Sequence, residues 1–412
     1  MVLNYVWSGF FIIAMIVALI KYFIFNDQII FETLVTGIFN SAKDGFEISL
    51  ALTGIMTLFL GILKVGEEAG AIRFMSRIVG PFFNKLFPEV PKDHPAHGQM
   101  IMNFSANMLN LDNAATPFGL KAMESLQELN PSKDTASNSQ IMFLVLQTSG
   151  LTLIPINIMT YRASMGAADP SDIFIPILIS TYFATVISLL VLMIKQNIPI
   201  WDKTVLGWIG GISTVILLLL WYLSKLSQGE VESFSKVYSN LILFSVIVLF
   251  ILGGIRKKID IFDTFIQGAK EGFQVAVKII PYLVGMLVAI SVLRNSGVLT
   301  AVTDALAFVI GSLGFDTKFV EALPVAIMRP LSGSGARGLM LEAMAPENGG
   351  PDSFVGKLVC IFQGTTDTTF YIIALYFGSV GITKIRYAIQ YGLLADFIGV
   401  VAAILIGYMF FA

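Results

Sequence analysis

The feature that most limits what this chain can become is a series of apolar runs, each about as long as a bilayer is thick. They cover 7–25, 46–63, 139–161, 173–194, 206–223, 237–255, 275–293, 354–377 and 388–411. Crossing the hydrocarbon core takes about 20 apolar residues in helical form. Lipid offers the backbone no hydrogen-bond partners, so runs of this length point to helices that satisfy themselves. Only 13% of the residues are charged, about half the share usual in a soluble domain. The expected fold is all-α: a polytopic membrane protein of about 8–11 crossings. The spread comes from shorter apolar stretches near 69–87, 99–111, 298–313 and 319–331.

Charge and residue inventory then exclude several classes. A net charge of −2 supplies no basic face, so no nucleic acid is expected as a partner. Cys360 is the one cysteine, which rules out an internal disulfide. No Ser-His-Asp, HExxH or CxxC arrangement stands out, so the expectation is a non-enzyme without resident cofactor or metal. His94 and His97 lie in PEVPKDHPAHG and read as residues of a solvated loop. The leading residues carry no Lys or Arg and no small-residue cleavage site follows, so the first run reads as a retained helix. Lys21 and the cluster Arg256, Lys257 and Lys258 mark expected cytoplasmic ends.

The chain also repeats itself. FETLVTGIFNSAKDGF (31–46) resembles FDTFIQGAKEGF (262–273). NAATPFGLKAM (113–123) aligns with SGARGLMLEAM (334–344), and QTSGLTLIPI (147–156) with QGTTDTTFYI (363–372). Three anchors in one order divide the chain into 1–200, a linking span and loop over 201–236, and 237–412. Duplicated membrane halves with broken helices in matching places are the usual build of transporters, with the site at the repeat interface. A symmetric scaffold that transports nothing is the other reading. Residues 31–46 and 262–273 read as amphipathic segments ahead of the apolar runs.

Two polar breaks carry the chemistry. The first, MNFSANMLNLDNAATPFGLKAM, crowds Asn103, Asn107, Asn110, Asp112, Asn113 and Thr116 between apolar flanks. Their amides must face protein, water or a ligand, because lipid would leave them unsatisfied at several kcal/mol each. Hydrogen bonding to neighbouring helices is the plainer role. The second break, RPLSGSGARGLMLEAM, places Ser332, Ser334 and Arg337 beside three glycines ahead of a helix. Backbone N–H groups and a helix N-terminus there would suit an anion; alternatively Arg337 neutralises Asp112, Glu342 or Asp367. A third cluster, QGTTDTTF, carries Gln363, Thr366, Asp367 and Thr368. One carboxylate among hydroxyls suits Na⁺ or a proton, and Leu151 stands where Asp367 would fall in the first half.

At these motifs the chain resembles a known family. ANMLNLDNAATPFGLKAMESLQELNP is similar to the signature of spore maturation protein A. RPLSGSGARG, with GTTDTTFYIIALYFGSVGITKIRYAIQYGLLADFIG, is similar to that of spore maturation protein B. Both belong to the nucleoside-recognition, or Gate, group, to which ferrous iron transport protein B and, more distantly, concentrative nucleoside transporters are related. The resemblance implies paired repeats with re-entrant breaks and residence in the bacterial cytoplasmic (inner) membrane. No GTPase domain accompanies them here.

The resulting expectation is a secondary transporter of a small polar solute, nucleoside-like or anionic. Asn103, Asn107, Asn110, Asp112, Asn113 and Thr116 would line one wall, and Ser332, Ser334 and Arg337 the other. Gln363 and Thr366 would lie beneath, with Asp367, Thr368 and Glu342 as ion-coupling residues. The rival is a membrane scaffold for spore or envelope maturation, which expects the breaks to be fully paired with no cavity between the repeats. Oligomeric state is left open, a homo-oligomer included.

Overall fold

The computed structural model describes residues 2–412, with side chains from 4–111 and 115–412. Helix α1 spans Val2–Ile24. A first series follows: α2 (Ile30–Ala69), α3 (Ala71–Leu86), α4 (Pro95–Met108), α5 (Asp112–Leu129), α6 (Asn138–Ser149), α7 (Ile156–Ser164) and α8 (Phe174–Lys195). Helices α9 (Lys203–Leu223) and α10 (Gln228–Lys257) link it to a second series. That series is α11 (Ile261–Asn295), α12 (Val298–Ser312), α13 (Leu323–Met328), α14 (Gly333–Ala343), α15 (Phe354–Thr365), α16 (Thr369–Ser379) and α17 (Ala388–Phe411). Each series runs from one very long helix through a short one and two broken pairs to a final long helix. Among the described residues eight segments are long and apolar enough to cross a bilayer, as an all-α, multi-pass membrane protein requires.

The amphipathic segments 31–46 and 262–273 are not separate pieces. Neither stretch contains a proline, and Lys43 and Glu47 support the helix one turn apart at 3.6 Å. The helices therefore run through, and α2 with its 40 residues is about 60 Å long, about twice the hydrocarbon thickness. Helices α2 and α11 lie against each other along their length. Gly37 meets Asn295, Gly45 meets Val284 and Gly61 meets Phe265, so the two run antiparallel. Contact is close enough that a Cβ on Gly272 would sit 2.6 Å from the Met56 carbonyl oxygen. Because α2 and α11 hold matching places in the repeat, the halves are inverted relative to one another. Helices α8 and α17 agree: Ala184 lies by Gly399, while Gln196 bonds the Tyr387 hydroxyl at 3.2 Å.

Two of the expected continuous crossings are broken. The run 139–161 divides into α6 and α7, since Gly150 turns left-handed at φ +58° and Pro155 precedes the new helix. The run 354–377 divides into α15 and α16 at Thr366, which is extended at φ −131° and ψ 172°. The breaks satisfy one another's backbone. Leu153 N donates to Met108 O at 2.8 Å, joining the α6–α7 break to the end of α4. Phe370 N donates to Pro330 O at 3.1 Å, the corresponding bond of the second half, one position along on both partners. Asp367 N then donates to Thr148 O at 2.7 Å across the halves.

Each half also clamps the other at the start of its inner broken helix. Arg162, in the last turn of α7, has no exposed surface. It reaches the Pro351 carbonyl (2.5 Å) and Asp352 (3.0 Å) ahead of α15, and Asp172 (2.9 Å) ahead of α8 in its own half. Lys357 completes the group at 3.1 Å from Asp172. Burial pushes the Asp172 carboxyl up, against the pull of Arg162 and Lys357. In the reciprocal place Arg386 bonds the Ala136 carbonyl at 3.0 Å, and Tyr387 bonds Asn138 at 2.8 Å, holding the start of α6.

A polar cavity where the two halves meet

The breaks bring their polar residues to one place. A cavity of about 170 Å³ opens between them. From the first half come Asn107, Asn110, Gln147, Thr152, Asn157 and Tyr161; from the second come Arg329, Arg337, Gln363, Thr366 and Asp367. Asn110 sits in the gap between α4 and α5 with φ +59°, a backbone that asparagine tolerates better than most side chains. A second cavity, of about 220 Å³, lies towards α2 and α11. Asn110, Asn157, Tyr161 and Arg337 border both, so these four form the partition between them.

The amides are layered. Asn107 donates to Gln147 at 2.5 Å, Gln147 donates to Asn103 at 2.5 Å, and Asn103 donates to the Ala115 carbonyl at 2.8 Å. Asn103 has no exposed surface and lies behind the lining, where it props the Gln147 and Asn107 that face the cavity. Hydrogen bonding between helices thus accounts for Asn103. Thr116 is exposed and away from the lining. The side chains of Asp112 and Asn113 lie outside the described residues.

The second half separates the expected anion wall. Ser332 caps α14 by accepting from Gly335 N at 3.0 Å, with the Ser334 hydroxyl 3.3 Å away. Gly338 packs against Met286 and Ile290 of α11. Of this group Arg337 alone lines the cavity, one turn into the helix. Glu342 pairs with Arg294 at 2.5 Å and borders a different cavity, of about 560 Å³. Asp367 lies 3.6 Å from Arg329, whose guanidinium also holds the Thr366 carbonyl through Nε at 2.8 Å and reaches Thr368 Oγ1 at 3.4 Å. Among the described residues Arg337 has no carboxylate partner; its guanidinium lies over the Tyr161 ring, 5.2 Å from the centroid. A cation–π contact leaves the N–H edge of the guanidinium available for hydrogen bonding.

Sequence reasoning passes over Asn157 and Tyr161, because a continuous crossing over 139–161 treats them as its apolar end. It also passes over Asp396, the carboxylate in the interior of α17. Asp396 is 4% exposed, and its Oδ2 accepts from Thr369 at 2.5 Å. Gly392 and Gly399 stand on either side of it against Thr369 and Thr366, which brings the α15–α16 break close onto α17. A lone intramembrane carboxylate is a signal readable from sequence.

Comparison with known proteins fits this arrangement. The family described as nucleoside recognition (Gate) matches residues 49–167 and 276–383, one segment in each half. Spore maturation protein B of Bacillus subtilis (strain 168) is 46% identical over 166 residues, 40% of this chain and 90% of that protein. Spore maturation protein A of the same organism is 41% identical over 144 residues, 35% of this chain and 74% of that protein. No solved structure gives a significant match. Two relatives, each matching part of the chain, are what a fusion of the two would produce. With its two matched segments taking in more than half of its length, the chain belongs to the Gate, or nucleoside-recognition, family.

Proposed function

We propose that the protein is a secondary transporter of the bacterial inner membrane for a small polar solute bearing an anionic group. The observation that carries the reading is the cavity itself. Helix breaks from two inverted halves surround it, amides and hydroxyls line it, and Arg337 is a cation in its wall without an acidic partner among the described residues. A scaffold expects paired breaks and no space between the repeats, so the cavity favours a carrier. Asn107, Asn110, Asn157 and Gln363 suit the carbonyl, hydroxyl or ring-nitrogen groups of a solute, and Arg337 suits its carboxylate or phosphate. The family's nucleoside-recognition description makes a nucleotide-like solute one member of this class. Asp367 with Thr368 beside the cavity, and Asp396 behind Thr366, are the carboxylates through which Na⁺ or a proton would couple.

Thermal shift of the purified protein against nucleosides, nucleoside monophosphates, organic acids and amino acids, with and without Na⁺, tests this. The expected result is stabilisation by anionic members of the panel that falls by about ten- to a hundredfold in apparent affinity in Arg337→Ala, the scale of one lost charge-assisted hydrogen bond. Equal responses of wild type and Arg337→Ala to the same anion would remove the anionic reading.

A further inference from the structure

A separate feature lies on the outer face of the first half. An apolar groove of about 990 Å³ runs between α3 and α10. Its inner end is made by Leu109, Leu153 and Ile154, the residues of the α4–α5 and α6–α7 breaks on the side away from the polar cavity. Phe74 and Leu249 on its flanks are more than 60% exposed. At its other end Arg73, Arg77, Arg256 and Lys257 line the rim, all of them exposed.

The charges are gathered at one end by the fold. Gly66 meets Phe250 and Gly253 meets Ala69, so α2 and α10 run parallel there. The C-terminal ends of both, and the first turns of α3, therefore share one end of the molecule. Among the described residues no carboxylate forms an ion pair with any of the four. The nearby Glu67 and Glu68 are engaged by Lys64, at 3.0 and 3.7 Å. Lys257 Nζ donates to the Glu68 carbonyl at 3.1 Å, which leaves its charge uncompensated. An apolar trough capped by four cations has the polarity of an anionic phospholipid, chain inward and phosphate outward.

We infer that this groove holds an anionic phospholipid, its acyl chain lying against the back of the helix breaks and its phosphate among Arg73, Arg77, Arg256 and Lys257. The site is independent of what occupies the polar cavity. A chain in the groove fills space behind Leu153, whose backbone is tied to Met108 at 2.8 Å, and so supports the wall of the break.

Native mass spectrometry of the full chain, released from detergent containing equal phosphatidylglycerol and phosphatidylcholine, tests the assignment. The wild type should carry mainly phosphatidylglycerol adducts. Arg73→Gln, Arg77→Gln, Arg256→Gln and Lys257→Gln combined should lower that preference at least fivefold. The control Lys43→Gln, Lys92→Gln, Lys133→Gln and Lys318→Gln, changing four exposed lysines elsewhere, should keep it. Excess inorganic phosphate should not displace the adduct. Equal binding of the two lipids by the wild type would overturn the inference, as would an unchanged preference in the groove variant. A dimer that persists as lipid is removed, in place of adducts, would assign the face to a second copy of the chain and overturn it equally.

Discussion

Single side chains at the breaks divide into those that touch the cavity and those that hold the ones that do. Asn107, Asn110, Arg337, Gln363, Thr366 and Asp367 are legible in the sequence, because a polar group in an apolar run demands a partner. Asn103 satisfies the same rule without facing the cavity, and nothing in its spacing distinguishes it from Asn107. Its position behind Gln147 depends on α6 ending at Ser149, which only the fold supplies. Asn103→Leu removes one donor and one acceptor from a buried chain of amides and leaves Gln147 Nε2 and the Ala115 carbonyl unpaired. We predict a loss of about 1–3 kcal/mol per unsatisfied group, read as a lower midpoint of thermal unfolding in detergent.

At the scale of elements, the sequence announces the repeat but not its orientation. The matching motifs establish that two halves exist, and the polar clusters locate the breaks to within a few residues. The antiparallel packing of α2 on α11 rests on pairings such as Gly45 with Val284, between residues more than 200 positions apart, and no local pattern encodes it. The lengths of α2 and α11 escape a search for bilayer-sized runs, since their polar first turns continue as helix without interruption. The reciprocal clamps hold these inverted elements in place. Arg162→Met would leave Asp172, buried in the same group, with Lys357 as its one remaining close cation. The expected cost is about 3–5 kcal/mol, the range for removing one partner of a buried ion pair. The check is loss of the folded peak in size-exclusion chromatography after heating, in parallel with Arg386→Met. The Arg386 variant should lose less, because its bond is to a carbonyl (Ala136) and no buried carboxylate is abandoned.

At the scale of the whole molecule, two inverted halves interlock so that a polar cavity, a partition of Asn110, Asn157, Tyr161 and Arg337, and a second cavity follow one another through the interior. Such a series is what alternating exposure to two sides of a membrane would use. The most direct measurement is thiol accessibility in proteoliposomes. On a Cys360→Ser background, single cysteines at Asn110, Thr152, Asn157, Asn103 and Leu144 would be treated with a membrane-impermeant methanethiosulfonate reagent. Modification is expected at Asn110, Thr152 and Asn157, which line the cavity, and none at Asn103 and Leu144, which have no exposed surface. Uniform protection of all five, or reaction at Leu144 as fast as at Thr152, would contradict a water-filled cavity bounded by the helix breaks.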